Sequence, residues 1–171
     1  MRELEFKQDE LPWLDPNKKI VPSCIVLHWW GEPLNKRGVD FLIEILARRE
    51  LSVQYAVLAN GEIHQLAPTP DTFCRHAKCA NESSIGIEIE GENAHDLDNN
   101  DVQFKAVTKL VKYLQQKYQI ESPFKITGTT ENIRFHGVAS HKQVDVYCPD
   151  GSGKDDVHDS YVGAVTRATK S

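Results

Sequence analysis

The chemistry this chain could perform begins with its histidines, seven in 171 residues alongside four cysteines. They do not read alike. His95 and His158 sit in polar surroundings and read as solvated surface residues, and His64, in "EIHQL", reads as half exposed on a hairpin strand. His28, His76, His136 and His141 each fall at or near a strand end or a turn, where sheet proteins place binding and catalytic groups. A catalytic zinc site takes three nitrogen, sulfur or oxygen ligands and leaves a fourth position open. His28, closing the apolar strand of "CIVLHWWG", and His141, in "GVASHKQVD", make a pair that neighbouring strands of one sheet can bring together. Two residues downstream suit the third position: Asp156 in "GSGKDDVHD", as a carboxylate, and Cys148 in "VYCPDG", as a thiolate. The competing reading is structural, since a lone strand-end histidine is commonly just a hydrogen-bonded residue. His136 is read that way.

Hydrolysis at such a metal would also need a proton carrier. "SSIGIEIEG" alternates strictly, with Ile85, Ile87 and Ile89 on one face and Gly86, Glu88 and Glu90 on the other. Either glutamate can serve as a general base or simply be a solvated charge on a sheet face. Periodicity does not choose between them.

Several elements must position these groups. Residues 1–20 read as an irregular arm, and Ile25–His28 as the first strand. Phe41, Leu42, Ile45 and Leu46 give "GVDFLIEILARRE" helical spacing. "SVQYAVLANGEIHQL" reads as a β-hairpin with Asn60-Gly61 as a two-residue turn. "DVQFKAVTKLVKYLQQKYQI" is an amphipathic helix with Phe104, Val107, Leu110, Val111 and Leu114 on its apolar stripe. "IRFHGVASHKQV" holds a last strand and "DSYVGAVTRATK" a final helix. The expected architecture is α/β, a single domain over 1–171 with one central mixed sheet flanked by helices.

Bulk properties narrow the function further. A net charge of -5 argues against nucleic acid as a partner, and no apolar run reaches the length of a membrane span. "MRELEFKQDELPWLDPNKK" lacks the apolar core of a secretory signal, which leaves a cytosolic chain, one exported by another route, or a mature form without its leader. A monomer is expected. Cys74 and Cys79 are close enough to bridge a loop, or remain two reduced, buried thiols, and Cys24 lies within the first strand.

Four segments, in order, resemble the zinc-dependent N-acetylmuramoyl-L-alanine amidases, the family that also includes peptidoglycan recognition proteins and amidase-type phage lysins. "IVLHWWG" is similar to the first-ligand strand, "SVQYAVLANGEIHQL" to the hairpin that follows, and "CRHAKCANESSIGIEIEG" to the tract in which His-Ala precedes Ile-Gly-Ile-Glu. "GVASHKQVD…GSGKDD" resembles the second-ligand histidine with its downstream Lys-x-Asp. The match runs from about Cys24 to Asp156.

The resemblance implies one zinc on His28, His141 and a third residue, in a groove across a mixed sheet. It also implies hydrolysis of the amide joining muramic acid's lactyl group to L-alanine of the stem peptide, in peptidoglycan or released muropeptides. Glu88, directly after Ile-Gly-Ile, matches the family's acid/base. Lys154 would stabilise the oxyanion, help often worth about 3 kcal/mol. His76 and Arg75 would meet substrate, with Trp29 and Trp30 at the groove's rim or in the core. The position matching a hairpin tyrosine of some members is Val53, with Tyr55 two residues on and expected on the same face; Tyr55 is given no catalytic role.

The third ligand departs from pattern. Many members carry an aspartate two residues after a lysine and before a proline; Lys154-Asp155-Asp156 fits, but Val157 replaces the proline. Others use Cys-Pro, which Cys148-Pro149 matches without the lysine, Val146 standing in its place. Asp156 is favoured because Lys154 accompanies it. The alternatives are a non-catalytic peptidoglycan receptor on the same fold, or a zinc domain acting elsewhere or merely stabilised by its metal.

Overall fold

The computed structural model describes residues 4–32, 37–129, 131–149, 151 and 156–171. Among them lie seven strands and five helices: β1 (Lys7–Gln8), β2 (Cys24–Trp29), α1 (Val39–Arg48), β3 (Tyr55–Val57), β4 (Ile63–Gln65), β5 (Ser84–Ile89), α2 (Ala94–Asp98), α3 (Asp101–Tyr118), β6 (Lys125–Thr127), β7 (Arg134–Ser140), α4 (His141–Asp145) and α5 (Asp159–Ala168). One sheet has the order β1-β4-β3-β5-β2-β7-β6. β2 is central and parallel to both β5 and β7. A strand covered on both faces reads as a continuous apolar run, which explains Cys24-Ile25-Val26-Leu27, all completely buried.

The two faces of the sheet carry different cores. Ile25, Leu27, Ile85, Ile87 and Ile89 pack against Val107, Leu110, Val111 and Leu114 of α3 and Tyr161, Val162 and Val165 of α5. This is the alternation expected of β5, satisfied by the apolar stripes of two helices. On the opposite face, Ala56, Leu66 and Val53 meet Leu42 and Leu46 of α1 together with Trp30. Beside that cluster, Val26 and Ala139 pack with Phe135 and Val144. Between these two small clusters the face carries His28 and Glu88.

The structure refines the expected elements at several points. The β3–β4 turn has three loop residues rather than two: the Leu58 amide donates to Glu62 O and Gly61 to Leu58 O, with Gly61 at φ 84°. That is a type I turn closed by a left-handed residue. The arm is not wholly irregular, because Lys7 and Gln8 pair in parallel with His64 and Gln65. His64 is consequently 4% exposed rather than half exposed, its Nδ1 lying 2.6 Å from Asp9 Oδ2. Val53 and Tyr55 lie on opposite faces, because regular pairing begins only at Tyr55. In the gap, the Gln54 amide does a backbone's work, accepting from the Gly86 amide and donating to Thr72 O.

The cysteines pair across the fold and not within a loop. Cys79 is bonded to Cys148, 69 residues away, while Cys74 and Cys24 are buried free thiols. Burial pushes the Cys74 thiol up to about 12, which keeps it protonated and unreactive. Proximity in sequence suggested a Cys74–Cys79 bridge, but a short 3-10 turn at Lys78–Ala80 aims Cys79 at α4 instead. No helix among the described residues is long and apolar enough to cross a membrane.

Candidate metal centre and catalytic cleft

Three elements deliver three side chains to one point. β2 presents His28 one residue before its end. β7 ends at Ser140, whose hydroxyl accepts from the Gln143 amide while the Gln143 side chain accepts from the Ser140 amide. That reciprocal capping box starts α4 at once, so His141 projects from the first helical position. Asp156 is 1% exposed, and its Oδ1 accepts from the amides of Trp29 (2.9 Å) and Val157 (2.8 Å). Its Oδ2 faces His28 Nδ1 at 3.5 Å and His141 Nδ1 at 3.3 Å. One ligand atom from each residue lies within 4.8 Å of the others. Val157, where proline was expected, is fully buried in the α3–α5 core and anchors this segment.

The donor set suits a divalent ion. Two imidazoles and a carboxylate are the classes zinc takes at hydrolytic sites. Burial alone would raise the Asp156 carboxyl, but His141, His28 and the Trp29 amide together hold it well below the usual carboxylate range. It is therefore ionised, as a ligand must be. His141 Nε2 is buried with no hydrogen-bond partner among the described residues, and His141 Nδ1 has only the 3.3 Å approach of Asp156 Oδ2, an arrangement that costs free energy unless something binds there. Cys148, the other candidate for the third position, is committed to its disulfide and offers no thiolate. Lys154 lies outside the described residues.

Glu88 is the register partner of His28 on the adjacent parallel strand and shares its face. It is half-buried and lines a cleft of about 260 Å³ with His28, His76 and His141. Glu90 lies one step past the end of β5, where its carboxylate accepts from the amides of Gly38 (2.8 Å) and Ala59 (2.6 Å). The strand ends before alternation can bring it to the cleft, so the two glutamates that periodicity could not separate have different environments.

The remaining candidates line the same cleft at different depths. Trp29 is half-buried, 5.7 Å from the His158 ring, whereas Trp30 is 8% exposed among the α1 residues. Arg75 is exposed at the cleft wall. His76 is 7% exposed, with its Nδ1 3.0 Å from His28 Nε2 and its Nε2 3.3 Å from Ser84 O. Burial, then the neighbouring His28 and His141 rings, holds its imidazole well below the usual range, so it is neutral. His136 instead bonds Thr127 Oγ1 at 2.8 Å, away from the site.

Two cleft cations were not anticipated. Lys78 pairs with the buried Asp145 at 3.1 Å, and Arg49 pairs with Glu32 at 3.2 Å. Lys78 lies in "RHAK" beside residues already of interest, but nothing in its spacing marks it as facing the site. Arg49 follows α1 and carries no sequence signal at all.

A family model described as N-acetylmuramoyl-L-alanine amidase matches residues 17–156. No curated protein matches the chain. Among solved structures, the fold is similar to N-acetylmuramoyl-L-alanine amidase LysC from Clostridium intestinale, at 20% identity over 94% of this chain and 95% of that one, with a TM-score of 0.62. It is similar to the Staphylococcus aureus hydrolase AmiA at 16% identity, covering 99% and 85%, with a TM-score of 0.67. A third similar structure is AmpD, at 20% identity, covering 98% and 95%, with a TM-score of 0.61.

Proposed function

The chain belongs to the N-acetylmuramoyl-L-alanine amidase family, and from that premise we propose that it is a zinc hydrolase cutting the amide between the lactyl group of N-acetylmuramic acid and L-alanine. The observation that carries this reading is the convergence of His28 Nδ1, His141 Nδ1 and Asp156 Oδ2 beside Glu88. His28, His141 and Asp156 would hold one zinc ion, which when bound supplies Lewis-acid polarisation of the scissile carbonyl and acidification of a water.

The protein's own groups do the rest. Glu88 takes a proton from the attacking water and returns it to the leaving amine of L-alanine, a role typically worth 10²–10⁴-fold in rate. Half-buried in the cleft wall, its carboxylate reaches the space in front of His28 and His141. Asp156 keeps its charge inside the site, and the Trp29 and Val157 amides fix which oxygen faces the histidines. Trp29 packs its half-buried ring against the α3–α5 core beside His158, leaving only its edge to the cleft rim. Arg75 offers a guanidinium to a stem-peptide carboxylate. Lys154 keeps the oxyanion-stabilising role implied by the family resemblance.

The test is direct. Purified protein, stripped of metal and then reloaded with zinc, is incubated with muropeptides and with intact peptidoglycan. Release of peptides with a new N-terminal L-alanine, read by mass spectrometry and dependent on zinc, is the expected result. One zinc bound per chain with tight muropeptide binding and no cleavage would make the protein a receptor instead.

A further inference from the structure

We propose that His76 is a positioning residue for the metal centre, holding His28 in the tautomer whose bare Nδ1 faces Asp156 and His141; this rests on the zinc reading above. A ligating imidazole is neutral, and the hydrogen bond at its second nitrogen decides which nitrogen is bare. The His28 ring turns Nδ1 toward the ligand cluster and Nε2 toward His76 Nδ1, 3.0 Å away. His76 Nε2 in turn lies 3.3 Å from the Ser84 carbonyl oxygen and 3.3 Å from Ser84 Oγ.

Only one placement of the His76 proton fits its contacts. A carbonyl oxygen only accepts, and the Ser84 hydroxyl already donates to Ala80 O at 2.7 Å. His76 must therefore carry its proton on Nε2 and present Nδ1 as an acceptor. That acceptor is satisfied by a proton on His28 Nε2, so His28 Nδ1, 3.5 Å from Asp156 Oδ2, is the nitrogen left to a metal. The reverse arrangement would set a lone pair of His76 against the Ser84 carbonyl. The backbone of β5 thus sets the tautomer of a side chain on β2, through one intervening ring.

The neighbourhood is shaped to hold that ring. Gly86 lies beneath it: a Cβ there would come 2.7 Å from both Cγ and Nδ1 of His76. Asn81 Oδ1 accepts from the amides of His76 (3.0 Å) and Ala77 (2.7 Å), pinning the backbone of the turn. The usual outer partner of a ligating histidine is a carboxylate, carbonyl or water. Here it is a neutral imidazole, which directs His28 without adding charge to a cluster that already holds Asp156. With both ring nitrogens engaged, His76 has no polar atom to spare for substrate.

Three variants test this: His76→Ala, His76→Asn, whose Oδ1 can stand in for Nδ1 as acceptor, and Gly86→Ala, which displaces the ring without removing it. Zinc affinity is measured by chelator competition, with folding checked by circular dichroism. His76→Ala and Gly86→Ala should each weaken zinc binding by about 10–100-fold, the usual effect of losing an outer-shell partner, while His76→Asn stays within a few-fold of wild type. Nitrogen-15 NMR of His28 in the metal-free wild type should show the proton on Nε2, and in His76→Ala a mixture. Unchanged zinc affinity in His76→Ala with a raised KM for muropeptide would overturn the proposal and make His76 a substrate contact. A wild type that binds no zinc yet shows His28 protonated on Nε2 would sink the zinc reading and leave the relay standing; an unprotonated Nε2 would sink the relay itself.

Discussion

Glu88 stands directly beside His28, the two paired in register across adjacent parallel strands with both side chains on the face opposite α3. The proposed base and the proposed ligand are thus placed by strand pairing itself. A one-residue slip of either strand would send its own member of the pair to the apolar face.

The pairing separates the two glutamates by experiment. Glu88→Ala should lower kcat by about 10²–10⁴-fold while zinc content and unfolding midpoint stay close to wild type. Glu90→Ala should do the reverse, costing roughly 1–3 kcal/mol because the Gly38 and Ala59 amides lose their acceptor, with kcat largely kept. Steady-state kinetics and urea unfolding on both variants check this; an inactive but stable Glu90→Ala would reassign the base.

The third ligand is tested most cleanly by Asp156→Asn. An amide oxygen can still accept from the Trp29 and Val157 amides, so the segment stays folded while the ligand charge is lost. Zinc measured by elemental analysis after dialysis should fall from one per chain to near none, and cleavage should go with it. Full zinc retention in Asp156→Asn would move the ligand elsewhere.

Cys148 should matter to stability and not to metal. The disulfide closes a separation of 69 residues, for which the chain-entropy model sets a ceiling of about 4 kcal/mol. Reducing the protein, or changing Cys148→Ser, should lower the thermal midpoint markedly. Zinc stoichiometry should not change, and a midpoint equally insensitive to reductant would mean the bridge contributes nothing.

Metal should stabilise the fold as well as enable the reaction. A ligand that binds only the folded state adds about 2.7 kcal/mol at 100 times its Kd. A chelator should therefore abolish cleavage and lower the midpoint together, with zinc restoring both. Stability unaffected by zinc, measured by differential scanning calorimetry, would argue that the buried nitrogens of His141 are satisfied some other way.

Much of this was legible in the chain itself, and for local reasons. The aliphatic run of Cys24–Leu27, the alternation of Ser84–Ile89 and the stripe of α3 are periodic patterns, and period reports which face is buried. The position of His28 at a strand's end and of Glu88 opposite the isoleucines followed from the same logic, as did the mixed α/β architecture. What periodicity does not carry is distance between segments. Only the folded chain shows Cys79 reaching Cys148 past the nearer Cys74, β5 ending one residue before Glu90, or pairing beginning at Tyr55 so that Val53 falls on the other face. The same holds for Asp156 meeting His28 and His141, and for the His76 ring resting in the space left by Gly86. Each depends on where two remote segments come to lie, and tertiary packing alone decides that.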